Sequence, residues 1–400
     1  MISISAHITS AAGVIAYHAE HYATGDYYQQ DGEIAGQWFG RGAAALGLIG
    51  DIKREDFAKL ANNRKPNGEK LTTRQNKERR VAQDYTIAPP KSVSIAALVD
   101  GDGRVVAAHR AAVAAVASEL EKFAAVRIRD RNHKDCGKDK NTGNIVAAAF
   151  EHNTSRAAAS DQRPDPQLHT HLVVFNATQD GEDDYKALQN YDILHAQKLL
   201  NAVYEHELAK RLKDAGYELR SRDNSFEIAS ISKQEIDIFS KRHAAIQKKV
   251  AELKANGATR NEKVLANSVA HDGRIRKNTN DSAATLREFW VEELSRVRAK
   301  RSNEKVEKID RKVSAKDAVE FARMHIFERA AVASYSDFLA FALQNARGSD
   351  FSLEELKMAV VEDPEILMSK NGKQITTQTI LHNEGKCIEL VVRFPRLESS

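Results

Sequence analysis

Apolar and polar residues alternate with a period of two along several short stretches of this chain, as expected of half-buried β-strands. The N-terminal run from Ile2 to Ile8 has this pattern. Strands are also predicted over Gln83–Ala88, which Pro89-Pro90 ends, and over the histidine-bearing stretches Asn144–His152 and Leu168–Thr178. Elsewhere the apolar positions follow the helical period. The predicted helices are Thr9 or Ser10 to about Thr24, Gly42–Leu48, Arg54–Asn62, Val105–Ala125, Ile193–Ala215, Ser232–Ala255 and Ala283–Lys300.

The connections between these elements are too irregular for a repeated βαβ unit. We therefore expect an α+β fold in which an antiparallel β-sheet is flanked by helices. The basic stretch Asn256–Asn280 is poor in apolar residues and is predicted to be a loop. A charged connector, Arg301–Lys312, is expected to divide a main domain, residues 1–300, from a small unit of helices and a terminal hairpin over residues 301–400.

The composition is that of a globular protein, with 42% hydrophobic and 29% charged residues. No apolar run approaches the roughly 20 residues of a membrane span, so no membrane insertion is expected. The N-terminus has no basic leader before an apolar block, and no secretory signal is expected. Cys136 and Cys387 are the two cysteines and lie far apart, which suits a reducing cytoplasm.

The net charge of +4 is modest, but basic residues are concentrated in three blocks. These blocks are Arg64–Arg80, Arg127–Lys140 and Lys241–Lys277. Separate basic blocks suit a polyanion that wraps around the protein, and nucleic acid is the favoured partner. The alternative is that each block is a solvated helix face or loop.

Three histidines lie on the two strands that flank a polar loop between Phe150 and Asn176. His169 and His171 are two residues apart, so on a strand their imidazoles point to the same face. His152 ends the preceding apolar run and could supply a third nitrogen. Three imidazoles with no fourth protein ligand describe a metal site with positions open to substrate. The alternative is a half-exposed sheet face, since 14 histidines can produce one His-x-His pair by chance.

Tyrosines cluster near the N-terminus, at Tyr17, Tyr22, Tyr27 and Tyr28. A phenolate can attack phosphorus and remain as a phosphotyrosine ester, although tyrosines on an amphipathic helix are more often core or rim residues. Asp84, on a predicted strand, could take the tyrosine proton, accept an N–H from a ligand histidine, or face water. The P-loop, G-x-S-x-G, H-E-x-x-H and C-x-x-C motifs are all missing, which favours metal-assisted phosphoryl chemistry.

Taken together, these motifs resemble the relaxase domain of conjugative plasmid transfer proteins of the TrwC/TraI type (MobF class), which belong to the HUH endonucleases. The resemblance covers roughly residues 1–300 and extends to the order and spacing of the motifs. The matching residues are Tyr17 and Tyr27-Tyr28, Gly32, Trp38-Phe39-Gly40-Arg41-Gly42, Asp84 to Ser94, His152 to Arg156, Asp165 to His171, and Tyr204 to Leu208.

The resemblance implies that the sheet is a palm-like HUH fold and that His152, His169 and His171 hold one divalent cation. Tyr17 would attack the scissile phosphate in line, giving a 5′-phosphotyrosine and a 3′-OH. Asp84 matches the acidic residue beside the histidines and the nucleophile. For the metal, Mg²⁺ or Mn²⁺ is expected on abundance, and imidazole ligands also suit Zn²⁺ or Ni²⁺.

Further roles follow from the same resemblance. Lys91 and Arg156 match basic positions close to the DNA or the scissile phosphate. Tyr27 would be a second nucleophile, with Tyr28 beside it. The chain departs from the family pattern because its first pair is Tyr17-His18 rather than two tyrosines, and because ten positions separate Tyr17 from Tyr27. The resemblance therefore leaves open the order in which the tyrosines act.

The implied function is a metal-dependent, strand-specific endonuclease and transesterase that nicks a plasmid transfer origin and rejoins the strand. The implied partners are single-stranded and hairpin DNA, relaxosome accessory proteins and a coupling protein. The implied location is the cytoplasm of a bacterial donor cell, with delivery to the recipient alongside the DNA. Alternatives are a rolling-circle replication initiator, a non-catalytic origin-binding protein and a metal-dependent hydrolase of small molecules.

The last hundred residues resemble the start of the helicase module that usually follows such relaxases. Phe327-Glu328-Arg329-Ala330 and Thr376-Thr377-Gln378 carry this resemblance. No Walker A motif is present in the 400 residues, so no ATPase activity is expected from them.

Overall fold

A six-stranded antiparallel sheet forms the centre of the computed structural model. Its strands, in sheet order, are β1 (Ile2–Ile4), β4 (Ala82–Ile87), β8 (Pro166–Phe175), β7 (Ala147–Thr154), β2 (Ile34–Phe39) and β3 (Asp51–Ile52). The structure describes residues 1–15, 34–73, 79–129, 132, 134–158, 163–181, 184–272, 281–299, 309 and 312–393. The predicted α+β class with an antiparallel sheet is confirmed.

Both faces of this sheet are covered, which explains why eight of the ten residues of β8 are buried. On one face Leu168 and Leu172 pack in the main core with the two longest helices of the first 300 residues, α5 (Gly103–Glu121) and α7 (Gln197–Asp214). On the other face Phe57, from α3 (Arg54–Ala61), lies with its ring 5.5 Å from Phe150 and 5.3 Å from Phe175. Alternate residues of each strand therefore belong to two different apolar clusters.

Shorter elements surround this centre. Small strands form a three-stranded sheet of β5 (Ala125–Arg127), β6 (Asp139–Asn141) and β11 (Leu188–Gln189), and two hairpins, β9 (Thr178–Gln179) with β10 (Tyr185–Lys186) and β12 (Leu219–Arg222) with β13 (Ser225–Ile228). The other helices before residue 300 are α1 (residues 11–15), α2 (Arg41–Ala45), α4 (Lys91–Leu98), α6 (Tyr191–His195), α8 (Lys233–Ile238), α9 (Lys241–Ala255), α10 (Glu262–Asp272) and α11 (Ala283–Arg298).

Three stretches differ from the predicted elements. The helix predicted over Ile193–Ala215 is two helices, α6 and α7, joined at Ala196. The helix predicted from Ser232 is divided at Phe239, because the Ser240 hydroxyl donates to the Ile236 carbonyl at 2.7 Å and closes α8. The predicted loop after residue 255 contains α10.

Helix α10 forms although its sequence is poor in apolar residues. The Asn261 side chain accepts a hydrogen bond from the backbone N–H of Lys263 at 2.9 Å and so satisfies one donor at the start of the helix. Leu265 of α10 is buried, as is Val250 on the neighbouring helix α9. The Arg242 side chain of α9 also donates to the carbonyl of Ala270 in α10 at 3.1 Å, so the two helices are in direct contact.

The C-terminal residues have the element order of a winged helix. They comprise α12 (Ala315–Phe327), β14 (Ala333–Ser334), α13 (Tyr335–Asn345), α14 (Leu353–Glu362), β15 (Ile366–Met368), β16 (Gln374–Thr377) and α15 (Gln378–Arg393), with strand order β14-β16-β15. Capping boxes at Ser314 and Ser352 fix the starts of α12 and α14. The predicted terminal hairpin is β15–β16, and α15 follows it.

This winged helix packs against α7 through buried polar contacts. Arg347 lies 3.0 Å from Glu205 in an ion pair whose side chains are 9% and 4% exposed. The next residue of α7, His206, donates through Nε2 to the carbonyl of Phe351 at 2.9 Å. The division of the chain at residue 300 stays a prediction. Among the described residues, no helix is both long and apolar enough to cross a membrane.

Candidate metal centre

The three predicted histidines come together at one end of the central sheet. His152 on β7 is the register partner of His169 on β8, and His171 follows two residues later on the same face. One ligand nitrogen from each ring lies within 4.8 Å of the others. His152 and His171 are buried, at 5% and 6% exposure, and His169 is half-buried.

Strand alternation explains this geometry. The apolar residues before His152 and after His171 fix which side of each strand faces which cluster, and the three imidazoles point to the side that also carries Phe150 and Phe175. The register of β7 and β8 is continuous from the Ala147–Val174 pair to the His152–His169 pair and shifts only after His152, so the rings are placed by paired strand backbone rather than by a loop.

Hydrogen bonds fix the tautomers of two of the rings. His171 Nδ1 lies 2.7 Å from Asp84 Oδ2, and His169 Nδ1 lies 2.9 Å from the carbonyl of Gln167. Both acceptors are oxygens without a proton to give, so each Nδ1 carries the hydrogen and donates it. In the neutral form of either ring the lone pair is then on Nε2, and this is the tautomer that presents Nε2 to a metal.

Asp84 is held in place by the N-terminal strand as well as by the histidine. It lies on β4 at 1% exposure, and its backbone N–H donates to Ser5 Oγ at 3.1 Å. The Thr86 hydroxyl lies 3.2 Å from Asp84 Oδ2 and 3.3 Å from His171 Nδ1. Of the roles predicted for Asp84, the structure places it beside a histidine and not on a water-facing edge.

Tyr17, Tyr22, Tyr27 and Tyr28 lie outside the described residues. All four fall between residue 15, where α1 ends, and residue 34, where β2 begins. The predicted roles of these tyrosines therefore stay predictions.

Lys91 and Arg156 lie near the strands that carry the histidines. Lys91, at the start of α4, donates through Nζ to the carbonyl of Pro166, the first residue of β8, at 2.9 Å. Burial lowers the pKa of Lys91 to about 8, although Asp165 and Glu227 act in the opposite direction. Arg156 is half-buried and follows the end of β7 by two residues. The structure thus places both near the site without assigning them a ligand.

The segment that leads into β8 is anchored by α9, which lies in the basic block Lys241–Lys277, and by α11, which follows that block. The Lys241 backbone N–H, at the start of α9, donates to Asp165 Oδ2 at 2.9 Å, and Trp290 Nε1 of α11 donates to the carbonyl of Pro164 at 2.9 Å. Lys241 Nζ also lies 2.9 Å from Glu293 of α11. Part of the predicted basic block is therefore structural, whereas Lys248, Lys249 and Lys254 are exposed on α9.

Sequence reasoning did not identify His109 of α5, and it gave no role to Tyr204 of α7 beyond its place in a matching motif. On the opposite face of the sheet, His109 contacts Thr170, the residue between His169 and His171, and Tyr204 contacts His109. The only local signal for His109 was one histidine within an Ala-rich apolar helix.

A family model described as TrwC relaxase matches residues 11–297. Two relatives are the multifunctional conjugation protein TraI of Escherichia coli, 33% identical over 245 residues, and TraI of Escherichia coli strain K12, 31% identical over the same length. Each match covers 58% of this chain but 13% of the relative, so the chain spans a small part of their length.

Two similar solved structures are both of the conjugative relaxase TrwC. One is its metal-bound complex with oriT DNA, 34% identical with a TM-score of 0.63, which covers 74% of this chain and 98% of that one. The other is TrwC with a 27-mer DNA comprising the recognition hairpin and the cleavage site, 33% identical with a TM-score of 0.61, covering 74% and 99%. By the extent of the family match and the shared fold, this chain belongs to the TrwC relaxase family.

Proposed function

We propose that this chain is a conjugative relaxase. It would nick one DNA strand at a plasmid transfer origin by tyrosine transesterification, keep the 5′ end as a phosphotyrosine, and later rejoin the strand. The observation that carries the proposal is the group of three imidazoles on the central sheet, whose nitrogens lie within 4.8 Å of one another. The TrwC structures with oriT DNA support the choice of substrate.

The three histidines fit a single divalent cation. Their nitrogens are close enough for one ion, and the bonds from Nδ1 of His169 and His171 leave Nε2 as the ligand atom. When bound, such a cation supplies Lewis-acid polarisation of a phosphoryl oxygen. Metal-bound TrwC supports the presence of an ion. We propose Mg²⁺ or Mn²⁺ as the ion, with Zn²⁺ or Ni²⁺ as alternatives that imidazole ligands also accept.

The role of Asp84 in this proposal is to orient His171 and keep it in the metal-binding tautomer. Its carboxylate accepts a hydrogen bond from the Nδ1–H of His171 and so makes the imidazole a stronger ligand through Nε2. A carboxylate at 1% exposure beside the metal ligands is also a candidate acceptor for the proton of an attacking tyrosine.

Tyr17 is proposed as the first nucleophile, and Tyr27 as the nucleophile of the strand transfer that ends a round, with Tyr28 beside it. Attack by the Tyr17 hydroxyl forms an O–P bond and breaks the bond between phosphorus and the 3′ oxygen, which leaves as a 3′-OH after taking up a proton. The phosphodiester of the DNA is replaced by a phosphodiester to tyrosine. The 3′-OH can therefore attack this bond and rejoin the strand without a nucleotide cofactor.

We propose that the protein binds DNA mainly through contacts to the phosphate groups of the DNA backbone. Arg156 and Lys91 are the proposed contacts close to the scissile phosphate, and the exposed lysines of α9 extend the positive surface away from it. To contact DNA, the Lys91 ammonium has to donate to a phosphate in addition to the Pro166 carbonyl or give up its hydrogen bond to that carbonyl. In the cell we propose that the protein acts in the donor cytoplasm with accessory proteins and a coupling protein, which is what the resemblance of its motifs to conjugative relaxases implies.

A covalent-adduct assay tests the proposal. An end-labelled oligonucleotide spanning the cognate transfer origin is incubated with the chain and Mn²⁺ and run on a denaturing gel. We expect a protein-linked DNA band that is lost in Tyr17→Phe and retained in Tyr22→Phe. Full adduct yield from Tyr17→Phe would move the nucleophile to Tyr27 or Tyr28. The assay is repeated with Mg²⁺, Zn²⁺ and Ni²⁺. If no ion gives an adduct although the chain still binds the DNA, the proposal is overturned in favour of an origin-binding protein.

A further inference from the structure

His109 is a fully buried polar residue on the side of the sheet opposite the three imidazoles. It lies in the middle of α5 at 0% exposure, among Ala108, Ala112 and Val113 of the main core. A buried imidazole is costly unless both of its nitrogens have partners, because the interior offers no water to replace them.

Both nitrogens of His109 do have partners, and they come from distant parts of the chain. Nδ1 lies 2.7 Å from the hydroxyl of Tyr204 on α7, and Nε2 lies 2.8 Å from the hydroxyl of Thr170 on β8. Tyr204 is 0% exposed and Thr170 is 4% exposed. We refer to these three residues as the Thr170–His109–Tyr204 network; it joins two helices to one strand.

The network is uncharged at neutral pH. Burial lowers the pKa of His109 to about 3 and raises that of Tyr204 well above its usual value. The phenol is a better donor and a poorer acceptor than an aliphatic hydroxyl, so Tyr204 donates to Nδ1 and the Nε2–H donates to Thr170 Oγ1. The two bonds are therefore directional contacts without an ion pair, and they constrain geometry rather than charge.

Thr170 is the residue through which this constraint reaches the site. It lies between His169 and His171, so its side chain points away from the site while its backbone connects the two ligands. Its register partners are Ile87 on β4 and Glu151 on β7. The hydrogen bond from His109 to Thr170 Oγ1 therefore restrains the backbone of β8 between His169 and His171. That backbone sets the direction of both imidazoles.

We propose that His109 is a positioning residue for the metal centre. Together with Tyr204 it fastens Thr170 to the helical layer and thereby sets the direction of His169 and His171 towards a shared ion. The inference rests on the proposed function only in that these histidines bind a metal. Groups that hydrogen-bond directly to a metal ligand change metal affinity by about 10–100-fold when removed, and the network acts one residue further from the ion, so we expect an effect near the lower end of that range.

Metal affinity is the decisive measurement, made by calorimetric titration of the metal-free chain with Mn²⁺. Thr170→Val keeps the side-chain shape but removes the hydroxyl, and we expect it to weaken Mn²⁺ binding by about tenfold or more. Thr170→Ser restores the hydroxyl and should return the affinity to within about threefold of wild type. The electron paramagnetic resonance spectrum of bound Mn²⁺ should change in the valine variant and not in the serine variant.

A matched control separates positioning from general stability. Tyr185→Phe also removes a buried tyrosine hydroxyl, one that donates to the Gly42 carbonyl at 2.8 Å, but it has no link to Thr170. It should lower the free energy of unfolding with unchanged Mn²⁺ affinity. Tyr204→Phe should also weaken Mn²⁺ binding. If Thr170→Val does not fold, Tyr204→Phe tests in its place whether the network positions the metal ligands.

Two outcomes overturn the inference, and they differ in what else they affect. Wild-type Mn²⁺ affinity in Thr170→Val, or in Tyr204→Phe when the valine variant does not fold, would show that the network only stabilises the fold; the proposed function would be unaffected. Absence of Mn²⁺ binding by the wild-type chain would overturn both this inference and the proposed metal centre.

Discussion

Asp84 Oδ2 lies 2.7 Å from Nδ1 of His171, across the neighbouring strands β4 and β8. The carboxylate is 1% exposed, so this contact is made where water does not compete. It determines which nitrogen of His171 is presented to a metal, and it joins the N-terminal part of the sheet to the histidine strand.

Asp84→Asn should weaken metal binding. An amide can still accept from Nδ1–H, but it lacks the negative charge that makes the imidazole a better ligand, so we expect Mn²⁺ affinity to fall by about tenfold. The measurement is calorimetric titration of the metal-free protein. Asp192→Asn, which changes a surface carboxylate paired with Lys373, is the control and should bind as wild type does. Equal affinities for Asp84→Asn and wild type would contradict this role.

The stability of the protein should depend on pH through His109. Its folded-state pKa is about 3, against an ordinary value of about 6.5. Between these values the unfolded chain takes up a proton that the folded protein does not, so the contribution is complete above pH 6.5 and is lost as the pH falls towards 3. The unfolding free energy of wild type relative to His109→Gln should fall by up to about 1.4 kcal/mol per pH unit in this window.

Urea unfolding of the metal-free proteins at several pH values between 4 and 7 measures this difference. His195→Gln, which changes an exposed imidazole on α6, should keep the acid dependence of the wild type. A pH-independent difference between wild type and His109→Gln would mean that His109 is not held neutral in the folded protein.

The buried ion pair between Arg347 and Glu205 should make the winged helix important for stability. Arg347→Ala leaves the Glu205 carboxylate buried and removes donors to the carbonyls of Ser225 and Asn224, so we expect a loss of about 3–5 kcal/mol in unfolding free energy. Lys198→Ala removes the exposed partner of Asp337 and should cost less than about 1 kcal/mol. Chemical denaturation measures both, and similar small losses would argue against a tightly docked C-terminal unit.

The exposed lysines of α9 should contribute to DNA affinity through the backbone. Each single-strand phosphate contact adds about 0.7 to the magnitude of the slope of log affinity against log salt, so Lys248→Gln with Lys254→Gln should reduce that magnitude by about 1.4. Fluorescence anisotropy with the origin oligonucleotide at several salt concentrations gives the slopes. Lys316→Gln, on an exposed side chain of α12, is the control. An unchanged slope in the α9 variant would show that Lys248 and Lys254 do not contact DNA phosphates.

The sequence was informative where local periodicity and chemistry coincide. The two-residue spacing of His169 and His171 on an apolar strand predicts a shared face, and the structure has them there with His152 as register partner. For Asp84 the sequence left three roles open, because its contact with His171 spans 87 residues and depends on which strands are neighbours.

Features that depend on distant partners could not be predicted. His109 is separated from Thr170 by 61 residues and from Tyr204 by 95, and its surroundings in sequence are those of an ordinary core helix. The division between α8 and α9 depends on a single hydroxyl, that of Ser240, which can stop a helix or remain within one. In both cases tertiary structure decides between states that the local pattern allows.

The central claim, that an ion held by the three histidines drives strand cleavage, is tested most directly by the rate of covalent adduct formation as a function of Mn²⁺ concentration in wild type and His169→Ala. We predict that the wild-type rate follows metal occupancy, and that His169→Ala shows at least a 100-fold lower rate at the same Mn²⁺ concentration, with DNA affinity retained. Adduct formation by His169→Ala at the wild-type rate, without bound metal, would contradict the account.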